Sequence, residues 1–526
     1  MNLKTFLPHL GMSPIAKTLF FFSGLLFVAL PLLASAEVLP FGVADFAFLL
    51  AVASLFAAYR PGWAFLLLVS VLPIETVNLA SAVFGADIRP YQFLTVSIFL
   101  GLGIRFLARR PLPGWPRFGP ADFLLALVPV GSLFATMNAP DTIAAFRLSL
   151  VLFSFFALYI LCRIYIRSSE DAGRILPFFV LSGLLTATFA VWQNILFFSG
   201  QPSGEVMPGR PNAAFPEPDW LGGFLVVIAA IFLGGAYRLG FRGAKTSEIL
   251  RTKLGISLFL GLSFVLLALV LAVSRSAWLG MLVSALLFSI LPLSRRSVRP
   301  ALFPTGFFVA AVIVAILLAF RVPLTDFDLS GRAGSIGSGR QTITVSCTGM
   351  AELPEHISDV VELEPLGCRH IDLEEIRTEL SVGRFVAEIE RDDPNVSIRR
   401  DVYSRSVSLA REHPVLGVGW GTVTGALGTD ERGIGLNASD LFLEVWLGSG
   451  FLGLAGLVGF LGLLAFTALR DFLRSGGVFP LFLLSATAGF VVFDLFNSGI
   501  LLGFVWIFFG VAGSYLSREE PFTDTL

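Results

Sequence analysis

LGISLFLGLSFVLLALVLAVSRSAWLGMLVSALLFSILPLS runs from Leu254 to Ser294 with Arg275 as its single charge. A bilayer core of about 30 Å takes about 20 apolar residues in a helix. The stretch therefore reads as two membrane spans, near 254–273 and 277–294, with almost no loop between them at Ser274-Arg275-Ser276. The same length of apolar run recurs near 17–35, 39–58, 62–82, 91–107, 120–136, 142–162, 175–198, 220–237, 301–320, 440–469, 477–496 and 500–516.

Composition agrees with that pattern. The chain has 526 residues, 55% hydrophobic and 14% charged, with a mean hydropathy of +0.81. Soluble domains carry about 25% charged residues, so soluble, secreted, fibrous and disordered classes are excluded. A net charge of −1 leaves no basic face for nucleic acid. The expected fold is an all-α polytopic membrane protein of about 14 transmembrane helices (12 to 14). It divides into an N-terminal bundle over 1–320, an extracytoplasmic insert over 321–439 and C-terminal helices over 440–526.

Orientation follows from Lys and Arg in the short connections. Arg105, Arg109, Arg110 and Arg117, then Arg163, Arg167 and Arg174, then Arg238, Arg242, Lys245, Arg251 and Lys253 fall on one side. Lys4, Lys17, Arg60, Arg295, Arg296, Arg299, Arg470, Arg474 and Arg518 join them, whereas the opposite short loops hold Arg89, Arg210 and Arg275. Both termini are predicted in the cytoplasm, in a cytoplasmic (inner) membrane. Ala34-Ser35-Ala36 also resembles a signal-peptidase site, and cleavage there would leave the later topology unchanged.

The insert is acidic, with Asp372, Glu374, Glu375, Glu379, Glu388 and Glu390. Thr342 to Ser346 alternates as a strand and Ile371 to Leu380 has helical spacing, which predicts a small α+β subdomain. Cys347 and Cys368 both lie in it, outside the reducing compartment, and are disulfide candidates; two unpaired thiols are the alternative. Cys162 ends a span and reads as packing. Four His (His9, His356, His370 and His413) in no metal-ligand spacing, with no P-loop or GxGxxG, predict no metal and no cofactor.

Polar groups at membrane depth are costly and become functional candidates: Glu75, Arg147, Gln193, Arg275, Asp440, Glu444 and Asp494. On the predicted topology Arg147, Arg210, Arg275, Asp440, Glu444 and Asp494 share the outer face with Arg399, Arg400 and Tyr403. A guanidinium in the Ser274-Arg275 turn sits at headgroup level, where it can grip a lipid diphosphate in two places and stabilise it as a leaving group. Snorkelling to the headgroups is the alternative. Asp440 and Glu444, four apart, share one helical face beside Ser439, where a carboxylate can accept a proton from a sugar hydroxyl. Capping of the helix by Ser439 or Asp440 is the alternative.

Arg411-Glu412-His413-Pro414-Val415-Leu416-Gly417-Val418-Gly419-Trp420-Gly421, with Leu443-Glu444 and Gly450-Phe451-Leu452-Gly453, resembles the O-antigen ligase and O-antigen polymerase superfamily over about 178–466. The resemblance implies transfer of glycan from an undecaprenyl-diphosphate-linked donor to a glycan, lipid or protein acceptor on the outer side of the bilayer, without metal or nucleotide. It assigns Arg275 to the arginine of the family's SR turn and Arg399, with Arg400 as the alternative, to the arginine before the HPxxGxG stretch. Arg210-Pro211-Asn212 and Asp219 fall in a family loop that commonly has asparagine where this chain has Asp219. The ligase pattern H[NSQ]x9GxxG places Ser439 where the family has histidine. A serine is no base at neutral pH, so the role passes to Asp440, Glu444 or His413, and His413 before Pro414 is better suited to shaping the loop. Substrate contacts are expected from Arg400, Arg210, Arg147, Asp219, His413 and Ser439. A membrane transporter and a non-catalytic envelope-assembly scaffold remain the other functional classes.

Overall fold

The computed structural model describes residues 14–80, 87–241, 252–295, 298–322, 324, 340–349, 353–371, 376–392, 394–428 and 436–517. Lys4, His9, Arg242, Lys245, Arg251, Arg296, Asp372, Glu374, Glu375 and Arg518 lie outside the described residues. Helices stand at Pro14–Ser35 (α1), Val43–Tyr59 (α2), Pro61–Ser70 (α3), Pro90–Leu107 (α4), Pro120–Ala135 (α5), Thr142–Tyr165 (α6) and Ser169–Phe198 (α7). Pro218–Phe241 (α8), Lys253–Leu271 (α9), Arg275–Ile290 (α10) and Val298–Arg321 (α11) follow. After the insert come Leu441–Ser475 (α15), Val478–Asp494 (α16) and Gly503–Leu516 (α17).

Among the described residues, 10 helices are long and apolar enough to cross a membrane, and α2, α3, α16 and α17 are shorter apolar helices of 10–17 residues. The protein is a multi-pass membrane protein. Side chains such as Phe48, Phe123 and Leu317 cover the outside of the bundle, while polar contacts gather at its two ends.

The segment expected as a span over 62–82 differs from that reading. Pro73 follows α3 and stops the helix, since it cannot donate to the backbone ladder and pushes Leu72 out of the helical region. At about 1.5 Å per residue the 10 residues of α3 cover about half a bilayer core. The chain beyond is irregular yet buried, with Leu72 and Ile74 fully enclosed, and such backbone is tolerated at membrane depth only inside protein. Its polar groups are met. Glu75 and Thr76 donate backbone N–H to the Ala214 carbonyl. The Glu75 carboxylate accepts from the Tyr91 hydroxyl at 2.9 Å and the Gly503 N–H at 2.9 Å and pairs with Arg89 at 2.6 Å.

The insert contains a four-stranded sheet of order β2-β4-β1-β3, built from Arg340–Cys347 (β1), His356–Ile357 (β2), Cys368–His370 (β3) and Phe385–Asp392 (β4). β1 runs antiparallel to β3 and β4, and Cys347, paired in register with Cys368, is joined to it by a disulfide. Ile343, Val345, Ile357, Leu363 and Ile389 fill the sheet's own small core. Of the helix expected over 371–380, Ile376–Ser381 (α12) is described. Its Glu379 receives hydrogen bonds from Ser346 at 2.5 Å and Arg369 at 2.8 Å. Pro394–Glu412 (α13) and Val423–Leu427 (α14) then pack on α15, through Val402, Ala410, Val418 and Leu447. The second half of the insert is thereby part of one end of the bundle.

Hydrogen bonds identify the two ends. One joins the 71–89 segment, the 199–217 loop, the turn after α9 and the 495–502 loop, through Glu75 to Ala214 and Gly503, Arg89 to the Leu501 carbonyl, and Arg210 to the Ala272 carbonyl. The other joins Asp122 to Arg163 at 2.8 Å and to Tyr159 at 2.6 Å, Arg163 to Ser514, Tyr515 to Asp471, and Tyr237 to the Gly476 carbonyl. Cys162 is buried against Gly510 at this second end.

Candidate functional site

The site is built around the Ser274-Arg275 turn. Val273 adopts a left-handed φ of 49°, which stops α9, and the Ser274 hydroxyl caps α10 by accepting the Ala277 N–H at 3.4 Å. Arg275 is thus the first residue of α10 and is half-buried. Gly222 of α8 lies directly against Ser274 and Ala277, so the start of α8 and the turn share one surface.

Arg210 approaches the turn from the 199–217 loop. Its Nε donates to the Ala272 carbonyl at 3.2 Å, and its Nη2 lies 3.5 Å from Asp219 Oδ2 in the first turn of α8. Asp219 therefore orients an arginine. The pairing of the two was not readable from their nine-residue spacing, because a loop intervenes.

The 494–499 loop bridges to the other side. Asn497 Nδ2 donates to the Ser276 hydroxyl at 2.9 Å, one residue from Arg275. The preceding residue, Phe496, lies under the Arg399 guanidinium at 5.7 Å from ring centre. Tyr403, one turn after Arg399 on α13, has its hydroxyl 3.0 Å from the Leu495 carbonyl and 3.2 Å from that of Ser439. Asp494 is fully buried beneath the loop and accepts the Gly499 N–H at 3.0 Å. Phe496 and Asn497 went unnoticed in the sequence, for a lone Phe-Asn pair after a span carries no pattern.

Ser439 and Asp440 end that series. Ser439 has a left-handed φ of 50° and donates its N–H and hydroxyl to Asn437 Oδ1 at 2.8 and 3.1 Å. Asp440 is the cap of α15, accepting the Leu443 N–H at 2.8 Å. Glu444 is buried and folds back to accept the Ala438 N–H at 2.6 Å, so its carboxylate closes the turn that presents Asp440.

Not every expected residue joins this cluster. Arg147 is exposed on the same stripe of α6 as Ile143, Phe146 and Leu150, and none of the bonds above reaches it. Arg400 is exposed beside Arg399. His413 faces Asn138 at 3.0 Å, and Asn138 also donates to the Gly417 carbonyl at 2.9 Å. His413 thus fastens the glycine-rich loop to the end of α5.

That loop is a clasp. Gly417, Gly419 and Gly421 all have positive φ, which lets the chain turn back on α15. Val418 and Gly419 donate N–H to the Leu447 carbonyl at 2.7 and 3.1 Å, and Phe451 donates to the Val415 carbonyl at 3.0 Å. Trp420 Nε1 donates to the Ser449 hydroxyl at 2.8 Å and Trp446 Nε1 to the Pro414 carbonyl at 2.9 Å. These bonds are available because α15 breaks at Gly450 (φ 65°, ψ −172°). The motif residues therefore hold the kink that aims the start of α15, with Asp440, toward Tyr403 and Arg399.

One carboxylate was missed in the sequence. Glu205, on the loop that carries Arg210, accepts the Gly209 N–H at 3.0 Å through Oε2, while its Oε1 is buried with no hydrogen-bond partner. Burial pushes its carboxyl up to about 7. No spacing marks it, since Gly204 and Gly209 only announce a turn.

Residues 259–467 match the family described as O-antigen ligase, a match that begins in α9, takes in the Ser274-Arg275 turn and the clasp, and ends in α15. No curated protein matches the chain. Through that region the chain is similar to the O-antigen ligase superfamily.

Proposed function

We propose that the protein moves a glycan from an undecaprenyl-diphosphate carrier to an acceptor hydroxyl on the outer face of the cytoplasmic membrane. The observation that carries the reading is a chain of contacts: Arg210 donates to the Ala272 carbonyl just before the Ser274-Arg275 turn, the 494–499 loop meets Ser276 through Asn497 and Arg399 through Phe496, and Tyr403 links that loop to Ser439 beside Asp440. In the reaction, the acceptor oxygen attacks the anomeric carbon, its proton passes to a carboxylate, and the bond to the diphosphate oxygen breaks. Arg275, Arg210 and Arg399 take up the negative charge gathering on that diphosphate. Asp440 is the proton acceptor of this proposal, with Glu205 the second carboxylate able to serve.

The same reading has 12 to 14 crossings, the third completed by the irregular chain after α3, both termini in the cytoplasm, the insert over 321–439 outside, and no cofactor. A ligase, a polymerase and a protein-glycosylating enzyme would use this site with different acceptors. The test is sizing of lipid-linked and surface glycans in a strain deleted for the gene. Full-length polymer stranded on lipid identifies a ligase, and accumulated single repeat units identify a polymerase. If neither pool changes while the gene is expressed, the transferase reading fails and transport or scaffolding replaces it.

Substituting each carboxylate in turn across a pH series separates their roles. Glu205, with its carboxyl held near 7, loses its proton as pH rises through that value. If it takes the acceptor's proton, the transfer rate rises through a limb centred near pH 7 and Glu205→Gln flattens the limb and lowers the plateau at least tenfold. Initial rates of Glu205→Gln and Asp440→Asn from roughly pH 5.5 to roughly pH 8.5, a window that brackets that carboxyl, check this. Loss of rate in Asp440→Asn with the limb intact in Glu205→Gln assigns the proton to Asp440.

A further inference from the structure

A cavity of about 630 Å³ lies between α7, α8, α9, α16 and α17, within the range of about 300–1,000 Å³ usual for ligand sites. Ile175, Leu184, Val227, Phe232, Leu258 and Phe508 are representative of its walls, and Arg238 is, among the described residues, the charged residue that lines it. Leu254, also on the wall, is 56% exposed, so the cavity reaches the outer surface of the bundle.

Its place in the bundle separates it from the site above. Along α8, Gly222 touches Ser274 and Ala277, while Arg238 stands sixteen residues further on. At about 1.5 Å per residue that is about 24 Å, close to the thickness of a bilayer's apolar core. The neighbouring Tyr237 donates to the Gly476 carbonyl at 3.1 Å, which ties this turn to the end that holds Asp471, Asp122 and Arg163. Arg238 is therefore at the headgroup level opposite Arg275.

We propose that this cavity binds an anionic phospholipid of the leaflet opposite the transfer site, with an acyl chain between α7, α8 and α9 and the phosphate beside Arg238. The occupant follows from chemistry. An apolar slot open to the lipid and ending at one guanidinium complements an amphiphile with a long chain and a negative head, and basic pockets between membrane helices recognise such headgroups. A neutral lipid would fill the slot without drawing on the guanidinium's charge, and a free anion would leave the slot empty.

Native mass spectrometry of the full-length protein, delipidated and then titrated with phosphatidylglycerol or phosphatidylcholine of the same chain length, tests this. The expected result is one retained phosphatidylglycerol at a several-fold preference over phosphatidylcholine. Ser257→Trp and Val180→Phe, which narrow the slot from half-buried positions on two helices, should each remove the adduct while the protein still elutes as the wild type does. Arg238→Gln should keep lipid binding and lose the preference. The proposal is overturned if the wild type retains no lipid, if both narrowed variants retain as much as the wild type, or if Arg238→Gln leaves the preference intact. Displacement of phosphatidylglycerol by polyprenyl phosphate at equimolar amounts would also overturn it.

Discussion

Arg275→Ala is expected to lower glycan transfer by a factor of about 10²–10³, the usual cost of removing one preorganised donor from a developing negative charge. The side chain is positioned by three features that the substitution leaves alone. Val273 turns the chain, Ser274 caps α10, and Asn497 holds the neighbouring Ser276 hydroxyl. The protein should therefore fold normally and bind membrane as before. Arg275→Lys keeps the charge but not the planar fork that can meet two phosphate oxygens, so most of the loss should persist. Initial rates per folded protein check both. Activity of Arg275→Ala within tenfold of the wild type would reduce Arg275 to a headgroup anchor.

The second large effect concerns stability. Gly450→Val should cost at least about 2–3 kcal/mol and leave little protein in the membrane, since it combines a strained left-handed backbone with a collision at a packed contact. Gly450 has a φ of 65°, and a Cβ there would run into the Val415 carbonyl and Leu416. Val415 cannot retreat, because its carbonyl accepts the Phe451 N–H. Gly462 lies in the same helix, where an added Cβ would meet nothing within 4 Å, so Gly462→Ala should be neutral or stabilising by about 0.5–1 kcal/mol. Thermal unfolding of the detergent-solubilised variants compares them. Equal melting of Gly450→Val and the wild type would show that the kink is not held by the clasp.

Much of this architecture was legible in the sequence alone, because the membrane imposes one physical demand on every span: about 20 apolar residues with their backbone bonds internal. The turn at Ser274-Arg275 stood out as a lone charge between two such runs. The third segment misled, since its apolar residues continue past Pro73 and face protein instead of lipid. Composition does not distinguish those two surroundings. The glycines of the 417–421 stretch carried the family resemblance in the sequence, and the bonds of this stretch to α15 give them a mechanical part.

The site was less legible than the fold. Arg275 and Asp440 were visible as charges at span ends and Arg399 by its place before the HPxxGxG stretch, but what joins their surroundings is Phe496 and Asn497, two residues of no distinctive type. Glu444 drew notice as a carboxylate one turn from Asp440, and its bond to the Ala438 N–H is a local closure that spacing alone does not reveal. Glu205 stayed hidden because its environment, not its neighbours in sequence, raises its carboxyl. Arg147, a lone cation inside the 142–162 span, drew notice alongside Arg275 and ended on an exposed stripe.

The most direct measurement uses purified protein in lipid nanodiscs, given a glycan on undecaprenyl diphosphate and a hydroxyl acceptor, with released undecaprenyl diphosphate quantified by mass spectrometry. Release matched one for one by glycosylated acceptor is expected with the wild type, and release near background with Arg275→Ala. No release by the wild type with acceptors of all three classes, or equal release by both proteins, would contradict the proposed transfer.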